Sequence, residues 1–201
     1  MKTLYFIRHG EYNNPLKVLP LRMPGFPLSL KGNKQARMMA EYFKDKNIKK
    51  VYSSPIERTS ETAEIICKKI NIKFFTNSSL SDVISPYQGV KKKDFFRIIK
   101  STVYEDPYHI SVGGEGIIEV FERVNKFIEQ VLVNDLATNI VIISHGDPIM
   151  IYLWKKLALR KDYIQFCKDF IYIEEGELIE VFYGDDNNIQ SITKIQLSKK
   201  R

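Results

Sequence analysis

The sequence predicts one α/β domain over residues 1–201, built on a mainly parallel sheet with helices on both faces. Short apolar runs of strand length alternate with amphipathic stretches of helix length, which is typical of parallel strands joined by crossover helices. No repeat, low-complexity segment or linker divides the chain. Its 201 residues also lie near the usual size of one domain, roughly 100–200 residues.

The first half of the chain contains three predicted strands and two predicted helices. The strands are short apolar runs at residues 4–7, 51–52 and 72–75. Ser29 is placed to cap the first helix, whose apolar residues recur at helical spacing through Ala36, Met39, Ala40 and Phe43. Residues 54–57 predict the start of the second helix, because they combine a capping box with proline at the first helical position.

The second half contains the longest predicted helix and the final strands. Residues 76–115 are predicted to be irregular apart from a helical turn or two at 95–99, since prolines and glycines interrupt them. An amphipathic helix is predicted over 117–132, a buried strand over 140–143, and a helix from Asp147 and Pro148 through Leu157. Residues 171–173, 178–183 and 189–197 are predicted strands, with a turn at 184–188.

Composition favours an anionic partner without identifying it. The chain carries 31 lysines and arginines and 24 acidic residues, a formal net charge of +7. The basic clusters at residues 91–93 and 199–201 are most simply solvated faces. We expect no nucleic acid partner, because the sequence contains no zinc-finger spacing, RNP-type signature or helix-turn-helix pattern.

Cysteine use and hydropathy predict a cytoplasmic protein. Cys67 and Cys167 lack metal-ligand spacing and are interpreted as reduced thiols. No apolar run approaches the roughly 20 residues that cross a bilayer, and no leader precedes the first strand. We therefore expect no membrane association. The oligomeric state is not indicated.

Basic side chains follow the two buried strands at the points where those strands end. Arg8 and His9 follow the run at 4–7, and His145 follows the run at 140–143. Ligands of such sheets bind outside the carboxyl ends of the strands, so we expect both imidazoles in one pocket. Arg58 lies in the first turn of the second helix, whose N-terminus adds a positive dipole end at the same edge. The arrangement predicts a phosphate site.

The residue types in that pocket predict phosphoryl transfer. Arginine donates two parallel hydrogen bonds to a tetrahedral phosphate, and its charge lowers the pKa of a neighbouring imidazole. A neutral His9 can then attack phosphorus, while His145 stabilises the transition state. Taken singly, each residue has a simpler structural interpretation. On the same basis Asp147 is most simply a helix cap and His109 a surface loop residue.

Three motifs, in this order, resemble the signatures of the histidine phosphatase superfamily, also called phosphoglycerate mutase-like. They are RHGE at residues 8–11, SSP at 53–55 with Arg58 and Thr62 behind it, and SHG at 144–146. PLSLKGNKQA from Pro27 and GGE at 113–115 are softer matches, and the resemblance covers nearly the whole chain. It implies a three-layer α/β/α sandwich with a mainly parallel central sheet, and chemistry that needs neither metal nor cofactor.

The resemblance also implies roles for individual residues. His9 is phosphorylated, and Arg8, Arg58 and His145 hold the phosphoryl group.

An acidic residue of the family, usually a glutamate after a leucine and ahead of a glycine, protonates the leaving oxygen. The corresponding text here is LSDVISPYQG, which makes Asp82 the general acid, one methylene shorter than glutamate. The family often carries an asparagine after its first glutamate, and Asn14 is the matching candidate for a phosphate contact.

The function predicted first is a phosphomonoesterase that hydrolyses a small phosphorylated metabolite through His9, with Asp82 as general acid and then base. A phosphoglycerate mutase would instead return the phosphoryl group to a second hydroxyl. The segment near residues 85–115 is short and lacks the large insertion of dedicated mutases, which favours a phosphatase. A regulatory module would bind phosphate with weak or no turnover. A nucleic-acid binder driven by charge is a third class. A metal site is not indicated, because the sequence contains neither His-x-His nor His-Glu-x-x-His spacing.

Overall fold

The computed structural model describes residues 1–99, 102–157, 162–170 and 172–197. In this part of the chain a six-stranded sheet has the order β3-β2-β4-β1-β5-β6. The strands are β1 Lys2–Arg8, β2 Lys50–Ser53, β3 Phe74–Thr76, β4 Asn139–Ser144, β5 Leu178–Tyr183 and β6 Ile189–Ile195. The helices are α1 Leu30–Phe43, α2 Glu57–Ile70, α3 Lys92–Ile98, α4 Pro107–Ser111, α5 Ile117–Asn134, α6 Gly146–Lys156 and α7 Tyr163–Asp169, with short 3-10 turns at Ser78–Leu80 and Val103–Glu105.

The parallel part of the sheet puts the ends of β1 and β4 side by side. Strand β4 pairs in parallel with β1 and with β2, and β3 extends this parallel half. Arg8 lies opposite Ser144 in the register, so both strands end at the same level. Strands β5 and β6 complete the other side as an antiparallel pair. The residues that follow β1 and β4 therefore emerge together at one edge.

Two hydrophobic cores lie on opposite faces of the sheet. Leu4 and Phe6 pack in the core formed with α5 and α6, whereas Tyr5 and Ile7 pack in the core formed with α1 and α2. The alternation follows from the period of two along a strand. The predicted three-layer α/β/α sandwich with a mainly parallel sheet is confirmed. Among the described residues, no helix is long and apolar enough to cross a membrane.

The prediction for the start of α2 was wrong. The helix begins at Glu57, two residues after Pro55, and no side chain caps it. The hydroxyl of Ser54 instead lies 3.0 Å from Nε2 of His145, and the carboxylate of Glu57 accepts from the backbone N–H of Gly25. Tertiary contacts at the edge of the sheet thus replace the local capping box.

Other differences lie mainly in short elements. Strand β3 begins two residues later than predicted, and the last strand ends at Ile195 rather than at residue 197. The helical turn predicted at 95–99 belongs to α3, which begins earlier, at Lys92, whereas α4 and the two 3-10 turns lie where irregular chain was predicted. Helix α7 was not predicted. Tyr172 and Ile173 do not form the predicted strand, while Ile171 and the cluster at 199–201 lie outside the described residues.

Candidate active site

A cavity of about 440 Å³ opens at the carboxyl edge of the parallel strands. Five of the six residues predicted from the sequence line it, namely Arg8, His9, Arg58, Asp82 and His145. The first two come from the end of β1, the third from the first turn of α2, and His145 from the junction of β4 with α6. Asp82 follows the 3-10 turn Ser78–Leu80, which contacts α5. The predicted convergence of these side chains on one cavity is therefore observed.

The imidazole of His9 is held with a defined orientation. The side chain is 2% exposed, and its Nδ1 lies 2.8 Å from the carbonyl oxygen of Gly10. A carbonyl oxygen can only accept, so Nδ1 carries the hydrogen and Nε2 carries the lone pair. Nε2 accepts from Nε of Arg58 at 3.0 Å. The backbone N–H of Gly10 in turn donates to the hydroxyl of Thr62 at 3.2 Å, which ties the loop after β1 to α2.

Gly10 is required by close packing against the start of α1. A Cβ atom at this position would lie 2.6 Å from the backbone oxygen of Gly32. Gly32 is equally crowded, because its own Cβ would lie 1.9 Å from the backbone oxygen of Glu11. The two glycines let the loop after β1 contact the first turn of α1 directly, which fixes the carbonyl that orients His9.

His145 lies between β4 and α6, with only 1% of its surface exposed. Its Nδ1 lies 3.0 Å from Nη2 of Arg58, and its Nε2 lies 3.0 Å from the hydroxyl of Ser54. The ring centroids of His145 and His9 are 5.1 Å apart. The two imidazoles therefore lie within reach of one small group.

Arg58 contacts three of the other four predicted residues at the cavity, His9, Asp82 and His145. It is 1% exposed and bonds to both imidazoles, and its Nη2 also donates to a carboxylate oxygen of Asp82 at 2.9 Å and to the carbonyl of Leu21 at 2.8 Å. Within the described residues its buried Nη1 has no hydrogen-bond partner. The guanidinium thus retains an N–H donor that can form a hydrogen bond to a ligand oxygen.

Arg8 is fixed from the other side of the cavity. Its Nη1 donates to the carbonyl of Ile173 at 2.9 Å, its Nη2 lies 3.5 Å from the carboxylate of Glu175, and its guanidinium lies 5.6 Å from the ring centre of Tyr172. Its Nε is buried and has no hydrogen-bond partner among the described residues. Both arginines at the cavity therefore keep one unused buried donor.

Burial keeps both histidines neutral. It lowers the pKa of His9 well below the usual value, and the charge of Arg58 lowers it further. The same two causes, in the same order, lower the pKa of His145. Removal from water disfavours the charged form of an imidazole, and a nearby cation disfavours it again. The sequence indicated only the effect of the arginines, because burial cannot be deduced from a motif.

The carboxylate of Asp82 lies beside Arg58 and His145. One oxygen of its carboxylate is 2.9 Å from Nη2 of Arg58 and 3.5 Å from Nδ1 of His145. The other oxygen accepts from the backbone N–H of Val83 at 3.0 Å. The carboxyl group can therefore reach a ligand that contacts Arg58 without leaving its loop.

Comparison with known proteins agrees with this geometry. The model of the histidine phosphatase superfamily (branch 1) matches residues 4–168. The chain belongs to this superfamily. The match runs from β1 into α7 and so includes all five of the sequence-predicted residues that line the cavity.

Relatives of this chain are named as phosphatases and as phosphoglycerate mutases. Phosphoserine phosphatase 1 of Hydrogenobacter thermophilus is 27% identical over 161 residues, covering 74% of this chain and 73% of that protein. The 2,3-bisphosphoglycerate-dependent phosphoglycerate mutase of Thermoplasma acidophilum is 28% identical over 151 residues, covering 74% and 73%. A solved mycobacterial glucosyl-3-phosphoglycerate phosphatase has the same fold, with a TM-score of 0.81 at 15% identity, over 96% of this chain and 98% of the other.

Two further arginines support the loop that carries Asp82. Nε of Arg22 donates to the backbone carbonyl of Asp82 at 2.6 Å, and Nη2 of Arg123 donates to the same oxygen at 3.3 Å. Both guanidiniums also pair with the carboxylate of Glu115, at 3.1 and 2.7 Å. Glu115 belongs to a motif noticed in the sequence, but no spacing linked it to Arg22 or Arg123.

Asn14 is not among the residues that line this cavity. Its side-chain oxygen accepts from the backbone N–H of Val18 at 3.1 Å, and its nitrogen donates to the carbonyl of Val18 at 2.8 Å. It lines a neighbouring cavity instead. A phosphate contact by Asn14 stays a prediction, and this arrangement does not support it.

The aromatic lining of the cavity was not predicted. Tyr12 packs with its ring centre 5.6 Å from that of His9, and the guanidinium of Arg58 lies 5.2 Å from the ring centre of Tyr12. Phe95, Phe96 and Tyr172 also line the cavity. These residues lie in loops and in the short helix α3, where no periodic pattern marks them.

The interpretation of Asp147 as a simple helix cap was wrong. It lies inside α6, and its carboxylate accepts hydrogen bonds from three tyrosines. The hydroxyl of Tyr104 lies at 3.0 Å, that of Tyr163 at 2.9 Å and that of Tyr172 at 2.8 Å. Asp147 thereby ties α6 and α7 to the segments around the cavity.

The interpretation of His109 as a surface residue was also wrong. The side chain is fully buried, and its Nε2 lies 2.8 Å from the carbonyl oxygen of Glu115. Its Nδ1 lies 3.2 Å from the hydroxyl of Ser85. In the part of the chain that the structure describes, no group of three or more histidine, cysteine, aspartate or glutamate residues is arranged to hold a metal ion.

Proposed function

We propose that this histidine phosphatase is a metal-independent phosphomonoesterase, which passes the phosphoryl group of a small metabolite to His9 and then to water. The proposal is carried by one observation. The unprotonated Nε2 of a neutral, buried His9 lies 3.0 Å from the Arg58 guanidinium, in a cavity also lined by Arg8, Asp82 and His145.

Substrate binding exchanges internal contacts for contacts to the phosphoryl group. Arg58 spends two of its hydrogen bonds on the lone pairs of His9 and His145, and phosphoryl oxygens can accept these bonds instead. The unused donors on Arg8 and Arg58 add further contacts. Charge-assisted hydrogen bonds contribute about 1.5–3 kcal/mol each, so the two arginines supply most of the affinity. The incoming negative charge also favours a protonated His145, which then donates to the phosphoryl group.

The first chemical step forms a phosphohistidine. The lone pair on Nε2 of His9 attacks phosphorus, and the bond from phosphorus to the substrate oxygen breaks. Asp82, in its acid form, gives its proton to that oxygen, and the alcohol leaves. General acid catalysis of this kind contributes about 10²–10⁴ in rate. The hydrogen bond from Nδ1 of His9 to the carbonyl of Gly10 stabilises the positive charge that develops on the ring.

The second step releases phosphate. Asp82, now a carboxylate, takes a proton from water while the water oxygen bonds to phosphorus. The bond from phosphorus to Nε2 of His9 breaks, and inorganic phosphate leaves. His9 is again neutral and Asp82 is again an acid, so the cycle closes without another reactant.

Phosphoglycerate mutase activity is the alternative at the same site. The phosphoryl group on His9 would then pass to a second hydroxyl group of a substrate molecule instead of to water. The name of the Thermoplasma acidophilum relative supports this alternative, as do those of relatives named as probable phosphoglycerate mutases. The names of the Hydrogenobacter thermophilus relative and of the solved mycobacterial phosphatase support hydrolysis.

A substrate panel tests the proposal. Phosphate release from sugar, glycerate, amino-acid and nucleoside monophosphates is measured together with isomerisation of 3-phosphoglycerate, with and without a chelator. We expect phosphate release that survives the chelator and is lost in His9→Asn. Asp82→Asn should lose about 10²–10⁴ in kcat, whereas the exposed control Asp45→Asn should not. Full activity in His9→Asn, or isomerisation without hydrolysis, would contradict the proposal.

A further inference from the structure

A second cavity, of about 630 Å³, adjoins the catalytic cavity and is lined by four lysines. They are Lys17, Lys91, Lys92 and Lys93. Lys92 lines both cavities, so the two meet at its side chain. We refer to the second cavity as the lysine pocket.

The lysine pocket concentrates positive charge, although the carboxylate of Glu175 interacts electrostatically with Lys92. None of its lining residues is acidic. Across the described ranges, none of the four lysines forms a salt bridge with a carboxylate, although other lysines of the chain do. The ammonium of Lys92 lies 5.5 Å from the ring centre of Tyr12, which itself packs against His9. An anion in the pocket would relieve the mutual repulsion of these charges.

The backbone that carries the lysines is held in place by pairing between two loops. Val18 forms an antiparallel bridge with Lys91, and the N–H of Lys92 donates to the carbonyl of Lys17 at 2.8 Å. Leu19 donates to the carbonyl of Val90 at 2.9 Å on the other side of this bridge. The lysines thus extend from a connected frame rather than from separate loops.

Lys17 has a backbone conformation that favours other residue types. Its φ angle is 52°, in the left-handed region that glycine and asparagine adopt more readily. The side chain of Asn14 bonds to both backbone groups of Val18 and holds the turn next to it. The turn therefore places a lysine, with its charge, where a glycine would fit the backbone better.

We propose that the lysine pocket binds a second anionic group of the substrate whose phosphoryl group occupies the catalytic cavity. This inference rests on the proposed phosphomonoesterase function and defines its substrate class. The preferred substrates are small phosphomonoesters with a second phosphate or a carboxylate at the far end of a short chain. Lysine binds as a flexible point charge, so the pocket selects for charge more than for the shape of the anion.

Esters that share a chain of two or three carbons and differ in the charge of their far end test the inference. The probes are 3-hydroxypropyl phosphate with a neutral end, propane-1,3-diol bisphosphate and 4-phosphonooxybutanoate with anionic ends, and phosphocholine with a cationic end. The measured quantity is kcat/KM for each ester divided by that for the neutral ester. The symmetric bisphosphate offers two equivalent phosphates, so a ratio of two is its baseline.

The variant under test replaces Lys17, Lys91 and Lys93 by glutamine and leaves Lys92, which lines the catalytic cavity. The control replaces Lys44, Lys49 and Lys73 by glutamine, which removes the same net charge. These three lysines are exposed, follow α1 or precede β2 and β3, and so lie at the opposite, amino end of the sheet. Any long-range effect of net charge should appear equally in both triple variants.

We expect the wild type to prefer the bisphosphate by roughly tenfold beyond the baseline, with phosphocholine the poorest substrate. In the Lys17, Lys91 and Lys93 variant the ratio should fall to the baseline, and in the control it should stay. A preference for both the bisphosphate and the carboxylate ester identifies a general anion pocket, and a preference for the bisphosphate alone identifies a phosphate pocket. Equal ratios in wild type and variant, or equal loss in the control, would overturn the inference. Failure to hydrolyse any of the esters would instead contradict the proposed function.

Discussion

Acidification should destabilise this protein through its two neutral active-site histidines. His9 and His145 are buried and have pKa values well below those of the unfolded chain. Below about pH 6.5 the unfolded chain therefore binds protons that the folded protein excludes. Stability is present above that pH and is lost as the pH falls. This pH dependence of stability is opposite in sign to that of a histidine whose pKa is raised by a carboxylate partner in the folded protein.

The size of the effect follows from linkage. From about pH 7.5 to about pH 5, a histidine that stays neutral in the folded protein lowers the free energy of unfolding by about 2 kcal/mol. Two such histidines lower it by about 4 kcal/mol, a large part of the roughly 5–15 kcal/mol of a typical domain. The loss of stability is largest when both rings stay neutral over this whole pH range. Their contacts with the Arg58 guanidinium favour the neutral form.

Urea unfolding across this pH range measures the effect. The fluorescence of the single tryptophan, Trp154, reports unfolding, and the buffers contain no phosphate, which would stabilise the folded state by binding. The reference is the double variant His9→Asn and His145→Gln, whose amide oxygens can still accept from Arg58. Wild type should lose more than this variant on acidification, by up to about 4 kcal/mol if both rings stay neutral down to about pH 5. Parallel pH profiles for the two proteins would refute the neutral, buried state of the histidines.

Four further predictions follow from individual contacts. Asp82→Asn should lose more activity on alkyl phosphates than on aryl phosphates, because phenolate leaves without a proton; comparing kcat for both esters checks this. Arg58→Lys should lower kcat/KM by about 10²–10⁴, since one ammonium cannot replace a guanidinium bonded to both imidazoles. Asn14→Ala should lower the free energy of unfolding by about 1–2 kcal/mol through its lost pairing with Val18, and should change kcat far less than Asp82→Asn; urea unfolding and initial rates measure both. Gly10→Ala should lower the free energy of unfolding by about 1–3 kcal/mol, because its Cβ would overlap the start of α1; a drop in Tm reports it.

The sequence was sufficient to predict where the reacting groups meet. The apolar runs before His9 and His145 are unbroken and end abruptly, and parallel strands align such ends at one edge of the sheet. Arg58 follows from the position of α2 after β2. These predictions depend on local pattern and on one rule of sheet geometry, so no tertiary detail was needed.

The surroundings of the reacting groups depend on contacts between distant segments. Ser54 was predicted to cap α2, but it bonds to His145, which lies 91 positions further along the chain. Arg22 and Arg123 meet at the carbonyl of Asp82 from two different parts of the chain. Side chains of this kind have no periodic pattern, so the sequence did not distinguish them from ordinary surface charges.

Detection of the phosphoryl group on the enzyme tests the central proposal most directly. Rapid quenching of a turnover mixture with base, followed by peptide mass spectrometry, should find one phosphoryl group on Nε2 of His9, because Nδ1 is engaged with the carbonyl of Gly10. The adduct should be labile to acid, should form faster than steady-state turnover, and should be absent from His9→Asn. Turnover at the full rate with no phosphohistidine at His9 would contradict the account, as would a phosphoryl group on any other residue.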